Sequence, residues 1–406
     1  MMKTTLEALM QSVGCSEYPA RWAEIFDTVM QDFEQNGCPL TDPAYYDRLH
    51  EGYNALPHHL HLYRQAAAAV AESEPLSRLL ALLVASLSDP ENAWRDVKAF
   101  SAPTAADGAH DLATDMLSGL AICCQIPYQY KLLTERGLPK DVILRTVQMP
   151  EKGVDEYAKR HNGTPGYHLL EWFQRWIHGH LFRIHRLEIE IFTGFSGRAQ
   201  IFENAEGKHI ALAHDIVLHK SGRALGSRYC ESENCSWRAD VCENDTAWSG
   251  HPYNEKGLVE QTTVTLWRNE WHKVLEYGDP IVGLHIPADG RLDESAIDET
   301  LVRAKEFLKI YYPDYAYKGF YCGSWLLDPQ LEHLLGPESN IVRFGKRFAP
   351  LTTRSDGNAV FDFVLLKPDP QNVDISSLPE GTRLERALKA HYLAGNCIYE
   401  VKGYFF

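Results

Sequence analysis

Along the first 135 residues, apolar positions recur every three to four residues, the spacing of helices that bury one face. In ARWAEIFDTVMQDFEQNG (20–37), Trp22, Ile25, Phe26, Val29 and Phe33 make one such stripe, and Asn36-Gly37 stops it. YRQAAAAVAESE (63–74) and PLSRLLALLVASLS (75–88) predict two further helices. SAPTAADGAHD (101–111) reads as a loop or domain boundary, and helical spacing resumes over 112–137 with Pro127 as a break. GYHLLEWFQRWIHGHLFRI (166–184) is the last helical run before the period changes.

From residue 186 the alternation is two-fold. Leu187, Ile189 and Ile191 face one side and Glu188 and Glu190 the other, a half-buried strand. Residues 198–222 and 258–271 predict more strands, and the polar stretch 228–257 between them reads as a long surface loop. The last third predicts β-α-β-α-β-β. A strand, DPIVGLHIP, precedes a helix from about Asp293 to Tyr312, with apolar Ile297, Leu301, Ala304, Leu308 and Tyr311, Asp293 as N-cap and Pro313 as stop. YKGFYCGSWLL is the next strand, two short helices follow, and AVFDFVLL and NCIYEVKGYFF close as strands. The fold class expected is α+β, with a helical N-terminal region (1–115), a mixed α/β middle domain (116–275) and a mixed-sheet C-terminal domain (276–406).

Composition narrows the partners. The 406 residues are 45% hydrophobic and 23% charged, as in a globular protein. A net charge of −15 disfavours a surface that replaces counterions around phosphates, so no nucleic-acid partner is expected. The opening residues lack a cationic, apolar leader, and 75–88 contains Arg78 and is too short to cross a bilayer. A soluble, cytoplasmic protein without a membrane partner is expected. The nine irregularly spaced cysteines are then mostly reduced.

Candidate chemistry is sparse. There is no Gly-x-Gly-x-x-Gly, no Walker A motif, no His-Glu-x-x-His and no Gly-x-Ser-x-Gly elbow. His58, His59 and His61, and His178, His180 and His185, lack the i, i+4 spacing that brings ligands together on a helix. Cys230, Cys235, Cys242 and His251 lack a Cys-x-x-Cys knuckle, so no metal is expected. In IVGLHIPADGRLDES, a strand, a glycine turn and a helix N-terminus could present N–H groups to an anion, although Asp289, Asp293 and Glu294 already supply negative charge there.

WHKVLEYGDPIVGLHIPADGRL (271–292) and YYPDYAYKGFYCGSWLLDPQLEHLLGPESNIVRFGKRF (311–348) resemble the signatures of a bacterial family of two-domain acyltransferase-like proteins. LFRIHRLEIEIF (181–192), with His185 where the family pattern carries glycine, and RGLPKDVILRTVQMP (136–150) extend the resemblance over roughly 115–406. It implies an N-acyltransferase N-terminal domain over 116–275 and a GNAT-like C-terminal domain over 276–406. It further implies acyl transfer from acyl-CoA, with acetyl-CoA as the expected donor, to a small-molecule amine acceptor. On that reading Ala288, Asp289, Gly290 and Arg291 form the cofactor loop, and Arg343, Lys346 and Arg347 meet the cofactor's phosphates. His285 is the base, and Cys322 and Ser324 line the cleft. The alternative is a non-catalytic binding or interaction protein on a GNAT-like scaffold.

Overall fold

A computed structural model describes residues 5–89, 91–103, 109–168, 170–232, 235–366 and 373–406. The chain divides into two units, Met1–Arg183 and Ile184–Phe406, whereas the sequence suggested divisions at 115/116 and 275/276. Shared cores explain the difference. Leu117, Ile122, Val154 and Trp176 bury into the same cluster as Trp22, Tyr46 and Leu80. Likewise Ala199, Ile201 and Leu275 share a core with Ile281, Leu351 and Tyr404. Of the stretch 101–111, residues 104–108 lie outside the described residues.

The first unit is helical. Its amphipathic helices include Trp22–Asn36, Pro43–Tyr53, Leu60–Ala71 and Glu74–Leu87. Trp22 is wholly buried and its Nε1 donates to Ser86 Oγ at 2.6 Å, so the indole loses no hydrogen bond on burial. Buried Glu151 accepts from the backbone N–H groups of His58 and His59 at 3.0 and 2.6 Å, just ahead of the helix that starts at Leu60. Burial pushes the Glu151 carboxyl above its usual range.

The second unit is built on a mixed sheet. Its strands lying wholly within this unit are β1 (Leu187–Gly194), β2 (Pro280–His285), β3 (Phe320–Ser324), β4 (Ala349–Thr352) and β5 (Val401–Phe405). They run in the order β1-β2-β3-β5-β4, with only β2 and β3 parallel. The long helix Glu294–Tyr311 joins β2 to β3 and buries Ile297, Thr300, Ala304, Phe307 and Leu308. It begins and ends where the sequence placed it. Asp293 takes the extended N-cap backbone, but its carboxylate accepts from Asn340 Nδ2 at 3.0 Å instead of capping.

Two expectations change. The polar stretch 228–257 carries strands at Ser236–Ala239, Cys242–Glu243 and Ala247–Gly250, held in small antiparallel sheets. AVFDFVLL forms a π-helix over Phe361–Leu365, not a strand, and buries Phe361 and Leu365 against Leu388 and Tyr392. Those two partners come from a helix, Arg383–Leu393, started by a capping box between Thr382 and Glu385.

Two positive-φ residues shape the sheet. β1 and β2 fall out of step between Ile281 and Gly283, and Phe192 absorbs the extra residue at φ 56°. His185, at the turn before β1, sits at φ 50°, a conformation glycine supplies without strain.

Candidate active site

The parallel pairing of β2 with β3 is short. Val282 faces Phe320 and Gly283 faces Tyr321, and there the ladder stops. β2 continues to His285 alongside β1, while β3 continues to Ser324 alongside β5. The two central strands therefore part at their C-terminal ends.

Register decides which side chains share a face. Neighbours across a ladder lie on one face and alternate along each strand. Gly283 stands opposite Glu190 and beside Tyr321, and Gly323 stands opposite Lys402. One face thus carries Glu188, Glu190, Gly283, His285, Tyr321, Gly323 and Lys402. His285 Nε2 lies 2.7 Å from Glu190 Oε2. A Cβ on Gly283 would come within 3.2 Å of Glu190 Cβ and 3.5 Å of His285 Nε2, so the missing side chain makes room for that pair. With a carboxylate on Nε2, that nitrogen carries the hydrogen and Nδ1 is the ring's basic nitrogen.

Further along this face, Lys402 Nζ donates to Ser196 O at 2.9 Å and to Ser196 Oγ at 3.0 Å. Ser196 Oγ also lies 2.8 Å from Tyr321 Oη. Burial, and then the charge of Arg198, hold the Lys402 ammonium below its ordinary range, with Glu400 opposing them. Burial pushes the Tyr321 phenol upward.

The residues singled out in the sequence are distributed as follows. His285 joins Glu190 at the open end of the central strands. Cys322 and Ser324 alternate onto the opposite face. Cys322 is 2% exposed, and burial pushes its thiol up to about 12. Ser324 caps the 3-10 turn Trp325–Leu327 by accepting from Leu326 N at 3.1 Å. A thiolate at Cys322 is thus scarce at neutral pH. Iodoacetamide at pH 7.5 should label exposed Cys242 and leave Cys322 unmodified in the folded protein, read by peptide mass mapping. Rapid labelling of Cys322 would contradict its burial.

The loop Ala288–Arg291 is exposed but tethered. Buried Arg186 donates from Nη2 to Gly290 O at 2.5 Å and from Nε to Arg291 O at 2.7 Å, with Nη1 3.7 Å from Asp289. The basic cluster is ion-paired throughout. Arg343 meets Glu294 and Glu338, Lys346 meets Glu332, and Arg347 meets Asp298 and Glu294. Among the described residues, no group of three or more His, Cys, Asp or Glu side chains is arranged to hold a metal ion. Nor is any helix long and apolar enough to cross a membrane.

Residues 181–405, more than half of the chain, match the model of the GNAT-like C-terminal domain. The chain belongs to that family. Residues 55–179 match the N-acyltransferase N-terminal domain. Solved structures agree on the fold. A crystal structure of an acyltransferase in complex with decanoyl-CoA and teicoplanin is 18% identical over 98% of both chains, with a TM-score of 0.61. Another, with CoA and 10C-teicoplanin, is 17% identical over 98% of both chains, with a TM-score of 0.63. A variant of an acyltransferase with octanoyl-CoA is 18% identical over 98% of both chains, at 0.62. No curated protein matches the sequence. The parting of β2 from β3 therefore lies within the GNAT-like domain, and His285 and Glu190 stand beside it.

Glu190, Tyr321 and Lys402 were not singled out in the sequence. The signals were present: acids alternating along a strand, and glycines inside two strands.

Proposed function

We propose that the protein transfers an acyl group from acyl-CoA to the amine of a small-molecule acceptor, with His285 as the base. The observation that carries this reading is the His285–Glu190 pair beside the parting of β2 and β3. The amine nitrogen attacks the thioester carbonyl, forming a C–N bond as the C–S bond breaks. His285 Nδ1 takes the amine's proton, the thiolate leaves, and that proton passes from the imidazolium, directly or through solvent, to the thiolate to give CoA thiol. Glu190 holds the imidazole and stabilises the imidazolium that forms. Most of the remaining barrier falls through alignment of amine and thioester.

Ala288, Asp289, Gly290 and Arg291, with Arg343, Lys346 and Arg347, are the proposed contacts for the nucleotide end of CoA. Those three cations are already paired, so phosphates must displace Glu294, Asp298, Glu332 and Glu338. That exchange is inexpensive, because exposed pairs contribute about 0–1 kcal/mol each. The structural relatives carry octanoyl- and decanoyl-CoA, which supports a medium-chain donor over acetyl-CoA.

Thermal unfolding with acetyl-, octanoyl- and decanoyl-CoA, followed by release of free CoA thiol in the presence of primary amines, tests the reading. Ligand at 100 times its dissociation constant adds about 2.7 kcal/mol, a shift of several degrees. The expected result is the largest shift with the medium chains and amine-dependent thiol release. No shift with any acyl-CoA overturns the reading. A shift without thiol release for any amine favours the non-catalytic scaffold.

A further inference from the structure

Lys402 is a half-buried cation in a chain of net charge −15. Arg343, Lys346 and Arg347 of the same unit each meet a carboxylate. Among the described residues, no carboxylate lies within ion-pairing distance of Lys402, although its side chain is half-buried; its ammonium bonds Ser196, whose hydroxyl in turn meets Tyr321. An ammonium offers three hydrogens. Two of them go to Ser196 O and Ser196 Oγ, and one is unspent. The contact between Ser196 Oγ and Tyr321 Oη uses one of the two hydroxyl hydrogens, and the other is unspent. One N–H and one O–H, side by side on a positive charge, match the two oxygens of a carboxylate.

The approach is open. A Cβ on Gly323, opposite Lys402, would meet only Lys402 Cγ, at 3.9 Å. Gly323 stands two residues beyond Tyr321, and His285 two residues beyond Gly283, Tyr321's partner. Lys402 and His285 thus stand at the same level along the sheet on the same face, with β3 between them. Two strand spacings put their backbones roughly 10 Å apart, and further where β2 and β3 separate.

We propose that Lys402, Ser196 and Tyr321 form a carboxylate subsite, so that the acceptor is an amine carrying a carboxylate several bonds from the reacting nitrogen. This deepens, and for its amine end rests on, the acyl-transfer reading. The amine lies at His285 and the carboxylate at Lys402. A straight ω-amino acid is the simplest molecule with that shape, and an amine-bearing peptide C-terminus has the same chemistry.

The test uses the full chain, 6-aminohexanoate and 8-aminooctanoate, and their carboxamides. Binding is measured by calorimetry in the presence of CoA, and turnover by thiol release from octanoyl-CoA. The subsite predicts tighter binding and lower KM for the carboxylates than for their carboxamides, by roughly 10- to 100-fold. In Lys402→Met that preference vanishes, and CoA-dependent thermal stabilisation persists as a check on folding. Lys402→Arg retains part of the preference. Equal KM for acid and amide in the parent protein overturns the subsite and leaves acyl transfer intact. Binding of the amino acids, sensitive to Lys402→Met, without thiol release supports the subsite and overturns acyl transfer. Failure of every probe to bind or react overturns the subsite.

Discussion

Replacing His285 with Ala is expected to lower kcat by roughly 10²- to 10⁴-fold while leaving acyl-CoA binding intact, the range a positioned general base contributes. The β1–β2 ladder is made by backbone groups, so removal of the imidazole leaves its register in place. Glu190→Gln separates positioning from proton abstraction. An amide oxygen can still accept from Nε2, but it does not stabilise the imidazolium that appears as the amine loses its proton. We expect a fall in kcat of at least roughly ten-fold in Glu190→Gln, with little change in the KM for acyl-CoA. The double variant should be no slower than His285→Ala, because Glu190 acts only through the imidazole. Steady-state rates at saturating octanoyl-CoA measure all three. A parent-like kcat in His285→Ala removes the residue from the mechanism. A loss in Glu190→Gln that persists on the His285→Ala background shows that the carboxylate acts by another route.

Much of the C-terminal unit was legible because its signals are local. The helix Glu294–Tyr311 announces itself through one apolar stripe and a terminal proline. β2 does so as a short apolar run ending at Pro287. His285 was singled out because a strand end next to a glycine turn is where such folds expose chemistry. Local pattern leaves some positions undetermined. Cys322 and Ser324 were expected to line the cleft from their strand, but a period of two sends alternate residues to opposite faces, and only cross-strand register fixes which. The register of Gly283 with Tyr321 puts Tyr321 and Gly323, and not Cys322 and Ser324, on the face of His285. Glu190 and Lys402 are 212 residues apart in sequence, and only the ladders β1-β2 and β3-β5 bring their strands onto one sheet face. The sequence likewise read 288–291 as a loop with free N–H groups. It held no sign that Arg186, a hundred residues earlier, would gather its carbonyls.

That tether carries the second large expectation. Arg186 is 8% exposed and holds Gly290 O and Arg291 O in a two-pronged grip, with its own backbone N–H on Thr300 Oγ1 at 3.1 Å. Arg186 thus meets the loop through its guanidinium and the following helix through its backbone N–H. In Arg186→Met the hydrophobic stem survives and both carbonyl contacts are lost. Hydrogen bonds to a charged group contribute about 1.5–3 kcal/mol each, but removing a buried cation also recovers its desolvation cost. The exposed loop can in turn rehydrate its carbonyls. The net loss should therefore be about 1–3 kcal/mol, a lower melting midpoint by several degrees. The functional loss should be larger than the stability loss, because a loop that must be ordered on binding subtracts that ordering from the affinity. We expect acyl-CoA to bind at least roughly ten-fold more weakly, with a smaller change in kcat at saturation. Arg291 supplies its own probe. It is exposed, and trypsin should cut after it much faster once the loop is released. Arg186→Lys should behave like the Met variant, since an ammonium lacks the planar fork that spans both carbonyls. Unaltered trypsin cleavage and unaltered acyl-CoA affinity in Arg186→Met would mean that the loop is held by its own backbone. Residues 288–291 would then no longer be candidates for the cofactor contact.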